Sequence, residues 1–274
     1  MSKIVSLEEA IGMISDGDLV ALGGNVLHRA PMAAVRELVR QKKKNLKLVK
    51  TAGAMDVDML CLAGSVASVD AGFISYETQY GLAQHYRKGV QSGTIKGNEH
   101  ACYTVICALR AAQMGVPFMP VKGLSTGDLL QVNDYFQVIQ DPFGSGAITI
   151  VKALVPDVAI LHVSEVDEKG NARINGPIFE DVLLSRAAKK VIITAETIVP
   201  VMKNTFNPQG VHIPDFLVSA IVPLRGGARP TSCEGYYDID HADITAFRKV
   251  KEKIELDAYI ASYDKKDHFI NKGW

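Results

Sequence analysis

The chain predicts an α/β protein, with a mainly parallel sheet covered by helices on both faces in three layers. Three observations carry that expectation. Apolar runs of strand length alternate with stretches of helical period. Several of the runs (Ala147–Leu154, Val158–Val166, Val191–Glu196 and Leu217–Leu224) are rich in Val, Ile and Ala without strict alternation, as in strands buried on both faces. The first strand also ends in Gly23-Gly24, ahead of a proline at Pro31, which reads as a strand, a tight glycine turn and a helix start.

Taken in order, Ser6-Leu7-Glu8-Glu9 is a capping box that opens a first helix running to about Ser15. Asp16-Gly17-Asp18 turns the chain into a strand over Leu19–Gly23, and a helix follows from Pro31 towards Lys42. Leu46–Thr51 predicts a second strand, Asp56–Ala63 a short helix, and Val66–Ile74 a third strand. Helical period returns over Tyr80–Val90 and Glu99–Met114, the latter closed by Gly115. The stretch near 122–146 has few periodic apolar positions and contains Gly-Leu-Ser-Thr-Gly-Asp and Asp-Pro-Phe-Gly-Ser-Gly, so it is expected as a long surface excursion. From His241 onwards the tail reads as one charged amphipathic C-terminal helix docked on the body. With no repeat and no composition shift, residues 1–274 are read as a single domain.

Composition excludes several functions. Thirty Lys and Arg balance thirty Asp and Glu, so no basic surface for nucleic acid is expected, and Lys42-Lys43-Lys44 reads as a solvated helix end. Apolar runs fall far short of the ~20 residues of a membrane-spanning helix. The first residues lack the charged-then-apolar pattern of a secretory signal, so a cytoplasmic location is expected. Cys61, Cys102, Cys107 and Cys233 show no CxxC spacing and read as buried free thiols. The seven histidines show no HExxH spacing, so no metal is expected, and His28 reads as a loop residue.

Chemistry concentrates at the first strand's exit. Gly23, Gly24 and Asn25 let backbone N–H groups approach a bound group closely, beside a helix start that adds partial positive charge. Such a cradle suits an oxygen gaining negative charge, although the same glycines also serve a turn for geometric reasons alone.

Seven segments, in this order and spanning nearly the whole chain, resemble the A-type chains of family I CoA-transferase-like proteins, the glutaconate CoA-transferase α subunits among them. They are Ser15–Gly24, Arg29–Val35, Arg110–Pro120, Asp141-Pro142-Phe143, Val155–His162, Asp167–Ala172 and Gly226–Gly235. The resemblance implies a Rossmann-like CoA-transferase fold and an acyl-CoA substrate with a dicarboxylic or otherwise polar acyl group. It implies coenzyme A as cosubstrate with no tightly bound cofactor, and a CoA-transferase B-type chain as partner in a heterodimer or α2β2 heterotetramer. In the transferase branch a glutamate of the partner attacks the thioester and passes through an acyl-glutamyl anhydride, dividing one hard transfer into easier ones. Gly24 and Asn25 are then the expected catalytic contribution of this chain through an oxyanion pocket, with Gly23 in the substrate wall. Asn25 stands where relatives often carry Phe.

Arg29 is the expected carboxylate clamp, because a guanidinium meets a carboxylate as a fork. Ser75, Glu77 and Gln79, after the third strand, are expected to bind substrate at the mouth of the site. Glu99, beside His100, is the expected catalytic acid of a ring-cleaving hydrolase or a decarboxylase of the same fold; its plain alternative is an acid in a first helical turn. A non-catalytic chain that binds acyl-CoA is the third reading.

Overall fold

The computed structural model describes residues 3–124, 127–144, 146–200 and 210–270, with the side chains of the last helix given as far as Tyr263. Ser125 and Thr126 of the first glycine-containing motif, and Ser145 of the second, lie outside the described residues.

The elements run α1 (Leu7–Gly12), β1 (Leu19–Leu22), α2 (Met32–Arg40), β2 (Leu46–Gly53), α3 (Met55–Ala63), β3 (Val66–Ile74), α4 (Glu77–Tyr80), α5 (Gln84–Gln91), β4 (Lys96–Glu99) and α6 (Cys102–Met114). There follow β5 (Phe118–Val121), α7 (Leu129–Val132), β6 (Phe136–Gln140), β7 (Ala147–Lys152), β8 (Val158–Asp167), β9 (Ala172–Arg173), α8 (Asp181–Ala187), β10 (Lys190–Val199), β11 (Ala220–Pro223), α9 (His241–Phe247) and α10 (Lys253–Ile270).

The main sheet has the order β11-β10-β8-β1-β2-β3-β4, every neighbouring pair parallel, with β9 added antiparallel to β8. Alternation along the strands feeds two cores. Val20 and Leu22 of β1, with Val158 and Ile160 of β8, join a core under α1, α2, α3, α9 and α10. Ala21, Ala159, Leu161 and Val163 face the other way, into a core with Val105 and Leu109 of α6 and Leu184 of α8. This is the predicted three-layer α/β/α arrangement.

The chain lays β1 to β4 outward in one direction and then returns to place β8, β10 and β11 on the other side of β1. The order therefore reverses between β1 and β8, and ligands of parallel α/β sheets gather beyond the carboxyl ends of the strands at such a point.

The capping box forms as read: Glu9 N–H donates to Ser6 Oγ at 3.1 Å, and Ser6 N–H to Glu9 Oε2 at 2.8 Å. Other expectations are corrected. Ala147–Leu154 does not join the parallel sheet; its β7 is the centre of a separate antiparallel sheet, β5-β7-β6. Within the excursion near 122–146, β6 joins that sheet and α7 forms a single helical turn beside it. The tail is two helices, broken where Val250 is buried and its carbonyl accepts from His85 Nε2 at 3.0 Å. Glu99 ends β4 instead of opening a helix, and Cys102, expected buried, is exposed at the start of α6.

Candidate functional site

At the exit of β1 the turn is held from every side. Gly24 has φ +70°, and a Cβ there would lie 2.4 Å from the Arg29 backbone; a Cβ on Gly23 would lie 2.6 Å from Asp181 Oδ1. Both positions require glycine on packing grounds alone. Asn25 and His28 then pair as a tight hairpin, each N–H donating to the other's carbonyl at 2.8 Å, around Val26 in the left-handed region at φ +46°.

The amides of this turn donate inward. Gly23 N–H goes to Ile160 O at 2.9 Å, Gly24 N–H to Asp181 Oδ2 at 3.1 Å, and Asn25 N–H to His28 O. Gly23 O accepts from buried Lys50 Nζ at 2.7 Å, and that ammonium is also paired with Asp56 at 2.5 Å. The expected oxyanion cradle is corrected accordingly: these amides are already hydrogen-bonded and secure the turn. The Asn25 residue itself stays half-buried.

Arg29 is corrected too. It adopts φ +55°, which turns its side chain into the protein, where it is 3% exposed. Its guanidinium forks onto Asp181, Nη1 to Oδ1 at 2.8 Å and Nη2 to Oδ2 at 3.2 Å, and donates to the His162 carbonyl at 2.9 Å and the Pro177 carbonyl at 3.0 Å. Rather than clamping a ligand, it ties β1 to β8 and to the segment before α8. Removing one partner of such a pair strands a buried charge, at a cost of about 3–5 kcal/mol.

Ser75 is buried and its hydroxyl donates to the Gly81 carbonyl at 2.9 Å, closing its own loop, so it is corrected from substrate donor to loop tie. Glu77 and Gln79 are exposed on the single turn of α4, with Glu77 at φ +62°. The Glu99 residue is exposed at the end of β4, and its carbonyl accepts from Asn133 Nδ2 at 2.6 Å. The expected Glu99–His100 pair does not form. Instead the His100 ring is buried, with Nε2 3.2 Å from Asp70 Oδ1 and Nδ1 3.2 Å from Thr104 Oγ1. At about 4.8 Å per strand, the ends of β1 and β4 are separated by on the order of 14 Å. The predicted residues thus share one edge of the sheet but not one point on it.

His28, read from the sequence as a loop residue, gathers beside the Gly23–Gly24 turn with three residues that sequence reasoning passed over, Phe179, Glu180 and Ser232. His28 is exposed, stacked on Phe179 at 6.5 Å between centroids, with Nδ1 2.8 Å from Ser232 Oγ. Phe179, at φ +52°, also faces the Arg29 guanidinium at 5.6 Å. The half-buried Glu180 carboxyl is raised above its ordinary pKa by burial and by the neighbouring Asp181 charge, against the Thr51 hydroxyl and Lys50. The only sequence signal was Phe179-Glu180-Asp181 ahead of a helix, which reads as ordinary first-turn acids.

Deeper under the crevice, Glu196 accepts from His162 Nε2 at 2.8 Å, Tyr237 Oη at 2.5 Å and Gly226 N–H at 2.8 Å. Burial opposes its ionisation, but these donors hold its carboxyl below the usual range. His162, Glu196 and Cys233 place ligand-capable atoms within 4.8 Å of one another. The Cys233 thiol is pushed up to about 12 by burial and the Glu196 charge.

An open, mainly parallel sheet whose strand order reverses at β1 and β8 is the α/β architecture in which ligands gather beyond the carboxyl ends of the strands. Residues 4–223 match the coenzyme A transferase family, and the chain belongs to it. It is 31% identical to the A chain of glutaconate CoA-transferase of Acidaminococcus fermentans, over 99% of this chain and 92% of that one. The crystal structure of glutaconate coenzyme A-transferase from that organism superposes with a TM-score of 0.91 at 30% identity, over 98% of this chain and 91% of its own. A variant of the decarboxylase AibA/AibB gives 0.87 at 31% identity, over 97% and 100%. The cholesterol ring-cleaving hydrolase IpdA subunit of Mycobacterium tuberculosis is 30% identical over 87% of this chain and 84% of its own. An uncharacterised protein of Archaeoglobus fulgidus is 35% identical over 91% of this chain, which spans 57% of that relative's length.

Proposed function

We propose that this chain is the A-type half of a CoA-transferase that moves CoA between an acyl-CoA with a polar acyl group and a carboxylic acid, completed by a B-type chain in a heterodimer or α2β2 assembly. One observation carries the reading. Among the described residues at the strand-reversal crevice, the chain offers shape and hydrogen bonds but no activated nucleophile. Its candidate nucleophiles are quiet there. Burial raises the Cys233 and Cys102 thiols, and Lys50 is held in an ion pair. The attacking group is then a glutamate of the partner, and this chain forms the acyl wall around His28, Phe179 and Asn25. CoA enters as cosubstrate, with no tightly bound cofactor, in a cytoplasmic protein.

A second reading, hydrolysis or decarboxylation of an acyl-CoA, draws support from the exposed Glu99 at the sheet's carboxyl edge and from the Glu180 carboxyl with its raised pKa. A carboxyl held above its ordinary pKa, as at Glu180, is the better general acid of the two. Relatives named as part of a ring-cleaving hydrolase and as a decarboxylase give it further weight.

The test is to purify the chain with a candidate B-type chain from the same source and follow acyl-CoA by mass, with and without free carboxylic acids. Label exchange onto the acid supports transfer. Thioester loss without an acceptor, or carbon dioxide release, overturns it in favour of the second reading.

A further inference from the structure

We propose that the cavity beside the Gly23–Gly24 turn is a subsite for an uncharged acyl chain bearing a hydrogen-bonding oxygen, and that His28 reads that oxygen. The inference rests on the acyl-CoA reading above and gives it a substrate class. The cavity, about 290 Å3, is walled by His28, Arg29, Asn175, Phe179, Ser232 and Glu234, with Pro177 completing it. That is the small end of ligand cavities, which run to about 300–1,000 Å3. It has room for an acyl end rather than a whole acyl-CoA.

The wall decides the charge of its occupant. Among the described residues, Arg29 is the one fixed cation in the lining, and both ends of its fork are on Asp181, with Phe179 over its face. A substrate carboxylate would have to break a buried ion pair to reach it. Glu234 puts an acidic group in the same lining, with no free cation there to offset it among the described residues. A dicarboxylic acyl chain therefore meets repulsion where the sequence led us to expect a clamp.

His28 supplies the complementary polar contact. Stacking on Phe179 fixes the plane of its ring, and Ser232 Oγ at 2.8 Å engages Nδ1, which leaves Nε2 to the ligand. With the Ser232 hydroxyl donating to Nδ1, Nε2–H is a donor for a keto or hydroxyl oxygen. His28 also lines a neighbouring cavity of about 850 Å3 with Tyr236, Asp238 and His241, so it borders both the acyl end and the larger space beside it.

The experiment uses the complex with the B-type chain and reads binding by calorimetry separately from turnover. Butyryl-CoA, acetoacetyl-CoA and succinyl-CoA share a four-carbon acyl group and differ only in its oxygens. Acetoacetyl-CoA is expected to bind about tenfold tighter than butyryl-CoA, as one hydrogen bond allows, and succinyl-CoA most weakly. His28→Ala is expected to cost acetoacetyl-CoA about tenfold, more than it costs butyryl-CoA, while Glu234→Gln raises succinyl-CoA affinity. Tightest binding of succinyl-CoA, or an acetoacetyl preference that survives His28→Ala, overturns the subsite. If discrimination and its dependence on His28 hold while no thioester turns over, the subsite stands and the proposed reaction fails.

Discussion

The centre of the sheet's carboxyl edge and its β4 end are built differently. At β1 and β8 the polar groups are bonded to one another: the Gly23, Gly24 and Asn25 amides, Lys50, Arg29 and Asp181 all have partners inside the chain. At β3 and β4, Glu77, Gln79 and the Glu99 residue stand exposed. The centre is an internally bonded wall that shapes a pocket, and the β4 end is a polar rim. Residues that look most like a binding motif are here the scaffold, and in our proposal recognition falls to a neighbour, His28.

Breaking the wall should have the largest effect. Asp181→Ala strands the Arg29 guanidinium and the Gly24 amide, and is expected to cost about 3–5 kcal/mol in urea unfolding. A loss below about 1 kcal/mol would mean that the pair is not closed in solution. Gly24→Ala forces a left-handed alanine against the Arg29 backbone and is expected to cost about 2–3 kcal/mol by the same measurement. At the rim, Glu99→Gln sharpens the contrast through activity rather than stability. If this chain moves the proton, kcat falls by about 100-fold or more with folding unchanged; in a transferase it changes little.

Glu180 lies by Thr51 and Lys50 of β2, between the two regions, and gives a pH test. Its folded pKa is raised, so its ionisation weakens the fold as pH rises from the ordinary glutamate range through the raised value. Glu180→Gln should thus be the more stable protein at neutral pH, and the gap should close on acidification below the ordinary range, read as melting temperature against pH. The smallest effect is expected from Glu77→Gly, which relieves a left-handed exposed residue and should stabilise by about 0.5–1 kcal/mol.

Much of the fold was legible. The capping box at Ser6, the run of buried strands and the Gly23-Gly24 turn each have a local cause that leaves a mark in sequence. Strand β4 left none, because Lys96-Gly97-Asn98-Glu99 is mostly polar and glycine interrupts it. Strand β5 carries Pro120 and β6 is half-exposed, so neither shows a buried run. The site was legible as a place more than as a set of roles. Nothing local says that Arg29 turns inward at a positive φ, since Asp181, which receives it, comes from a distant segment. His28 looked like a loop residue because its ring partners, Phe179 and Ser232, are also remote.

The Arg29–Asp181 bond also bears on synthesis. Its partners are 152 residues apart, and at about 5–20 residues per second the ribosome delivers the aspartate roughly 8–30 s after the arginine. For that interval the nascent chain holds an unmated cation and a glycine turn lacking its keystone. Chains stalled before residue 181 should be open to protease at this turn, and those released beyond α8 should be closed.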